Sequence, residues 1–179
     1  MHTILSGVLI CLAAVGLALS PEITGAALAQ AGDAPPPLRV MSFNLRYNNP
    51  DDGLNAWPHR KETVAGMIRF HEADVVGVQE AQIAMLHDLD SLLTGYDWFG
   101  LPRASGDAHD EYSAILYRPE RLELLDHDTF WLSETPDVRS KGWDAALPRI
   151  VTWGKFRDKA TGKVFFHFNT HFDHRGEQA

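Results

Sequence analysis

Phe165-Phe166-His167-Phe168-Asn169-Thr170-His171-Phe172-Asp173-His174, close to the end of the chain, reads as a β-strand running out into a polar tail. Alternation puts Phe166, Phe168 and Thr170 on one face and His167, Asn169 and His171 on the other. The first face reads as core. The second carries an amide and imidazoles in line, groups that add little to a core but can hold a phosphate or a proton at a strand end. A half-exposed edge strand with solvated polar residues is the competing reading of this segment alone.

Upstream, Leu38 to Tyr47 alternates, with Met41, Phe43 and Leu45 opposite Ser42, Asn44 and Arg46, and predicts a strand. Trp57, Lys61, Val64 and Ile68 recur at helical spacing, so a helix is expected from Pro58 to His71, with the proline in its first turn. Asp74 to Gln79 encloses Val75-Val76-Gly77-Val78, the short apolar run of a buried central strand. A second helix is expected to bury Ile83, Leu86, Leu89 and Leu93, and Gly95 ends it. Strands are then expected over Tyr96–Leu101, Tyr112–Tyr117, Leu122–Thr129, Ile150–Arg157 and Lys163–His171, the last two joined by the hairpin loop Asp158–Gly162. The loops Pro102–Asp110 and Ser133–Pro148 are long enough to suggest a function. The order of elements implies a mixed sheet with helices on one outer face.

The chain has 179 residues, room for one domain, and 22% charged residues, an ordinary globular composition. Its net charge of −8 argues against an unspecific electrostatic grip on nucleic acid, which needs clustered Lys and Arg. Residues 1–29 read as a signal peptide or N-terminal anchor. The apolar run Ile4–Leu19 is shorter than the roughly 20 residues of a membrane span, and Ala27-Leu28-Ala29 has the small residues of a cleavage site. Export is therefore expected, with no stable membrane span after cleavage. Residues 30–37 form a Pro- and Ala-rich linker. The sole cysteine, Cys11, lies in the leader, so the mature chain has no disulfide and no thiol chemistry.

Glu80 follows the most apolar strand directly, where a carboxylate is costly unless it meets a cation or a hydrogen-bond network. It suits a hard metal such as Mg²⁺, or it simply caps the helix that begins after it. Asn44 is a buried amide in need of partners or an ordinary strand-to-loop bond. Arg149, opening a strand after a long loop, suits a phosphate through its planar fork or a surface ion pair. Glu111 is a solvated acid, or, if it approaches His171, the partner of an imidazolium that donates a proton.

Three stretches taken together are more specific than any of these. They are Ser42-Phe43-Asn44-Leu45-Arg46-Tyr47, Val76-Gly77-Val78-Gln79-Glu80, and Asn169-Thr170-His171-Phe172-Asp173-His174-Arg175-Gly176. In that order they resemble the endonuclease/exonuclease/phosphatase superfamily, of deoxyribonuclease I type. The connecting text Phe130–Pro136 and Trp143–Arg149 resembles its bacterial exported or uncharacterised members. The resemblance implies an α+β fold, a four-layer α-β-β-α sandwich, over residues 38–179. It implies metal-assisted in-line attack of water on a phosphoester, with Mg²⁺ or Mn²⁺ as cofactor. It assigns Glu80 and Asn44 to the metal, with Asn44 also orienting the metal-bound water or phosphate. Glu111 would pair with His171, His171 would contact phosphate as acid or electrostatic stabiliser, and Arg149 and Asn169 would bind the substrate phosphate.

The superfamily's later motifs, Gly-Asp-Phe-Asn and Ser-Asp-His, have no counterpart in the sequence. The domain is therefore expected to be incomplete, and the chain inactive or nearly so, for want of the water-activating pair. The reading is a phosphodiesterase or phosphatase acting on a small molecule, a lipid head group or nucleic acid. The alternatives are a nuclease and a non-catalytic binding domain that keeps the fold. The five tryptophans are expected mostly in the core rather than stacking on bases.

Overall fold

The computed structural model describes residues 35–178. The leader, and the linker up to residue 34, lie outside the described residues. Among the described residues no helix is long and apolar enough to cross a membrane.

The first sheet has the order β1-β2-β6-β4, from β1 (Val40–Asn44), β2 (Val75–Gln79), β4 (Asp97–Phe99) and β6 (Ile115–Tyr117). β1 and β2 are parallel, joined through α1 (Trp57–Phe70), and β6 is antiparallel to β2 and β4. β2 is buried along its whole length, as its apolar sequence requires. Helices α1 and α2 (Ile83–Leu92) cover one face of this sheet through Trp57, Val64, Ile68, Met85, Leu86 and Leu89, packed with Val76, Val78 and Leu116. Lys61 departs from the expected buried stripe. It reaches Asp88 on α2 at 2.8 Å, and Asp88 also accepts from the Trp57 indole at 2.8 Å, so a polar clamp joins the two helices.

The other face meets a three-stranded antiparallel sheet, β7 (Leu122–Trp131), β8 (Ile150–Asp158) and β9 (Val164–Thr170). Val75, Ile115, Tyr117, Leu122 and Phe156 fill the space between the sheets. β3 (Ala81–Gln82) and β5 (Glu111–Tyr112) form a separate short ladder. The strand expected over Tyr112–Tyr117 is thus divided, because the chain changes partner from β3 to β2 at Ser113-Ala114. Helices, first sheet and second sheet give three of the four expected layers among the described residues.

The faces of β9 are opposite to the expected ones. Phe166 and Phe168, read as core, are 52% and 59% exposed, whereas Asn169 is 4% exposed. Asn169 Nδ2 donates to the carbonyls of Val78 and Ala114, both at 2.8 Å, and its Oδ1 accepts from Gln79 Nε2 at 2.6 Å. The amide thus bridges the two sheets. A Cβ on Gly77 would lie 2.7 Å from Asn169 Cγ, so only glycine lets the bridge close. Asn169 is therefore a structural cross-link rather than the phosphate ligand expected of it, since both ends of its amide are taken up by protein. Of the tryptophans, Trp57 and Trp131 are buried, while Trp143 stands out of the core at 49% exposure.

Candidate active site

Strand register assembles the site. Asn44 and Gln79 are paired at the ends of parallel β1 and β2, which sets Asn44 beside the next residue, Glu80. Val151 pairs with Thr170, so Arg149, just before β8, lies near His171, just after β9. β5 pairs with β3, Gln82 opposite Glu111, which brings Glu111 to the same end of the fold. Glu80, Arg103, Glu111, Arg149, His171 and His174 line one open cavity of about 400 Å³. The position agrees with the tendency of sites to form beyond the carboxyl ends of parallel strands.

Glu80 is held in a left-handed backbone conformation, φ 58°, which a non-glycine residue adopts only under surrounding constraint. Its carboxylate accepts from Asn44 Nδ2 at 2.8 Å and from the Tyr47 amide at 3.1 Å. Burial opposes its ionisation. The hydrogen bonds from Asn44 and Tyr47, with the fields of His171 and Arg46, outweigh that and hold the carboxyl below its ordinary value. Asn44 Oδ1 accepts from the Arg46 amide at 2.8 Å, so this residue orients Glu80 and shapes the turn after β1 at once. Arg60 secures the same turn by donating to the carbonyls of Leu45 and Arg46.

Arg149 is 3% exposed. Its Nε donates to Asp173 Oδ1 at 3.1 Å, and its Nη2 lies 3.1 Å from His174 Nδ1. A guanidinium only donates, so in this contact Nδ1 of His174 accepts and the ring proton sits on Nε2. Asp173 Oδ2 accepts from the amides of Arg175 and Gly176 at 2.9 and 2.8 Å. The Gly176 amide foremost, then those of Arg175 and Ala146 and the Arg149 guanidinium, hold the Asp173 carboxyl far below the usual carboxylate range, against burial.

His171 Nδ1 is buried without a partner among the described residues, which leaves Nε2 as the nitrogen open to the cavity. Burial lowers its pKa, as do Arg149, Arg103 and His174, while Glu80 pulls the other way. The ring is therefore neutral at pH 7.

The expected pairing of Glu111 with His171 is replaced by another. Glu111 Oε1 accepts from Arg103 Nη2 at 2.9 Å, and both side chains are largely buried. A guanidinium eight residues away satisfies a buried carboxylate better than an imidazole that burial keeps neutral. Burial, helped by Glu80, raises the Glu111 carboxyl above its ordinary value, and Arg103 and Arg149 only partly offset this. Arg103, Asp173 and His174 were not singled out by sequence reasoning. The one signal for Arg103 was the length of its loop, and for the other two their nearness to His171.

A family model described as "Endonuclease/Exonuclease/phosphatase family" matches residues 41–157. A crystal structure of an endonuclease/exonuclease/phosphatase from Bacteroides vulgatus is 49% identical, with a TM-score of 0.76, over 79% of this chain and 54% of that one. A mannosyl-6-phosphatase from Bacteroides thetaiotaomicron is 44% identical, TM-score 0.75, over 79% and 54%. An uncharacterised protein, L388, of Acanthamoeba polyphaga mimivirus is 29% identical over 76% of this chain and 54% of its own. The chain thus spans about half the length of these relatives.

Proposed function

Because the chain belongs to the endonuclease/exonuclease/phosphatase family, we propose that it acts on a phosphoester as a hydrolase, with a divalent cation, Mg²⁺ or Mn²⁺, held at Glu80. What carries this reading is the convergence of an ionised carboxylate, a buried guanidinium and an imidazole, Glu80, Arg149 and His171, on one cavity. The donor set fits such an ion. Mg²⁺ takes one or two carboxylates and fills its remaining positions with water and phosphate oxygens. It needs no cluster of three or more His, Cys, Asp or Glu, and none occurs among the described residues. Glu80 would hold the cation, with Asn44 fixing the carboxylate. Once bound, the cation would withdraw charge from the phosphoryl group as a Lewis acid.

The protein's own groups bind the phosphate and stabilise charge on it. Arg149, pinned by Asp173 and His174, grips phosphate oxygens without having to be ordered at the moment of binding. Neutral His171 donates a hydrogen bond from Nε2 to oxygens on which charge develops. The 44% identity with a mannosyl-6-phosphatase supports a sugar-linked phosphate monoester as the substrate class. The net charge of −8 argues for a small substrate over nucleic acid. The leader-like N-terminus sets the reaction outside the cytoplasm in this reading.

The test is calorimetric titration of the chain with Mn²⁺, together with Mg²⁺-dependent phosphate release from mannose 6-phosphate. Glu80→Gln is expected to weaken Mn²⁺ binding about tenfold or more and to remove any phosphate release. A chain that takes up no Mn²⁺ would be a binding domain without this chemistry. Plasmid nicking without release from sugar phosphates would make it a nuclease.

A further inference from the structure

The loop Pro102–Asp110 has no regular structure beyond one bridge from Pro102 to Tyr112, yet Arg103 within it is fixed on both sides of its backbone. Its amide donates to the Glu111 carbonyl at 3.0 Å, and its carbonyl accepts from the Trp131 indole at 2.9 Å. The next turn is held by Asp110, 8% exposed, whose Oδ2 accepts from the amides of Ala104 and Gly106 at 2.9 and 2.8 Å. An arginine needs no such fixing to stay in solvent. This one is turned inward, its side chain 15% exposed, into the cavity that Arg149 also lines.

Its pairing is incomplete. Arg46, also at the cavity, sends both Nε and Nη2 to Asp52, at 3.0 and 3.2 Å. Arg149 is engaged by Asp173 and His174. Arg103 touches Glu111 through Nη2 alone, and among the described residues its Nε and Nη1 make no hydrogen bond. Its carboxylate partner is also a poor one, being desolvated and repelled by Glu80. A guanidinium with two sets of N–H groups free, on a rigid backbone and facing a cavity, is suited to an incoming oxyanion.

We propose that Arg103 is a second phosphate-contacting guanidinium, which with Arg149 selects a dianionic phosphate monoester over a monoanionic diester. This rests on reading the Glu80–His171 cavity as a phosphoester site. A terminal phosphate presents three oxygens and two charges, enough for two guanidinium forks and a cation at Glu80. A diester gives up one of those oxygens and one of those charges. The Glu111 carboxylate keeps Arg103 in place and gives way when phosphate takes its free N–H groups.

The experiment is calorimetric binding of inorganic phosphate and of dimethyl phosphate, each with Mn²⁺ present, to the whole chain and to Arg103→Met, Arg103→Lys and Glu111→Gln. Phosphate affinity is expected to fall about tenfold or more in Arg103→Met and less in Arg103→Lys, which keeps the charge but not the fork. Dimethyl phosphate should change less than about twofold in the same variants. Glu111→Gln separates this role from a mere loop staple. If Arg103 binds phosphate and Glu111 only holds it between ligands, phosphate binds as well or better when the carboxylate becomes an amide, whereas a staple fails alike from either side. Phosphate binding unchanged in Arg103→Met, or lost equally in Arg103→Met and Glu111→Gln, would overturn the inference and leave the site itself standing. No phosphate binding by the unmodified chain would remove the site reading, and this inference with it.

Discussion

Asn169→Ala is the substitution that most directly separates architecture from chemistry at this site. The amide makes three hydrogen bonds across the two sheets, to Val78, Ala114 and Gln79. Each is worth about 0.5–1.5 kcal/mol net, and a Gln79 amide left buried and unpaired adds about 1–3 kcal/mol. Gln79 keeps weaker contacts to Ser42 Oγ at 3.3 Å and to the Gly77 carbonyl at 3.2 Å, which favours the low end of that penalty. The expected loss is about 3–5 kcal/mol, a large part of the roughly 5–15 kcal/mol that a domain has. With a urea m-value of about 2 kcal/mol per molar, the unfolding midpoint should fall by roughly 2 M with m unchanged. Tryptophan fluorescence is a suitable probe, because Trp57 and Trp131 are buried. Asn169→Asp should be at least as damaging despite its equal size, since an oxygen would then face the carbonyls of Val78 and Ala114 with no donor between them. A midpoint shift below about 0.5 M, together with a large loss of phosphate binding, would refute this reasoning and return Asn169 to the phosphate.

Asp173→Asn should lower thermal stability at pH 7 and weaken phosphate binding by loosening Arg149. The folded-state carboxyl is held below its unfolded value, so its contribution is present above about pH 4 and is lost as pH falls through the folded value. The gap in melting temperature between the two proteins should therefore close on acidification, and a gap independent of pH would refute this. His167 lies on the inward face of β9, its Nε2 buried without a partner among the described residues, and burial lowers its pKa. The unfolded chain thus takes up a proton that the folded chain resists. Stability should be full above about pH 6.5 and decline below it. His167→Gln should flatten the profile below about pH 6.5, and an unchanged slope in denaturant titrations would remove His167 as the source.

The sequence by itself determined the elements and the ends at which chemistry collects. The run Val75–Val78 is too apolar for anything but a buried strand, and β2 is buried throughout. Asn44, Glu80 and His171 could be placed at strand ends because the alternation or apolar run before each of them stops there. Tertiary structure decided the faces and the partners. Alternation defines two sides of β9 but not which one turns inward. Phe166 and Phe168 have the greater transfer energy, yet the inward side is the one whose amide meets two carbonyls and a glutamine across a glycine. Glu111 could be read only as a solvated acid or as a partner of His171, and its choice of Arg103 over His171 depends on how a loop without periodicity packs under Trp131. Periodicity carries burial along one element. Pairing energy depends on distances between elements, and those exist only once the chain has folded.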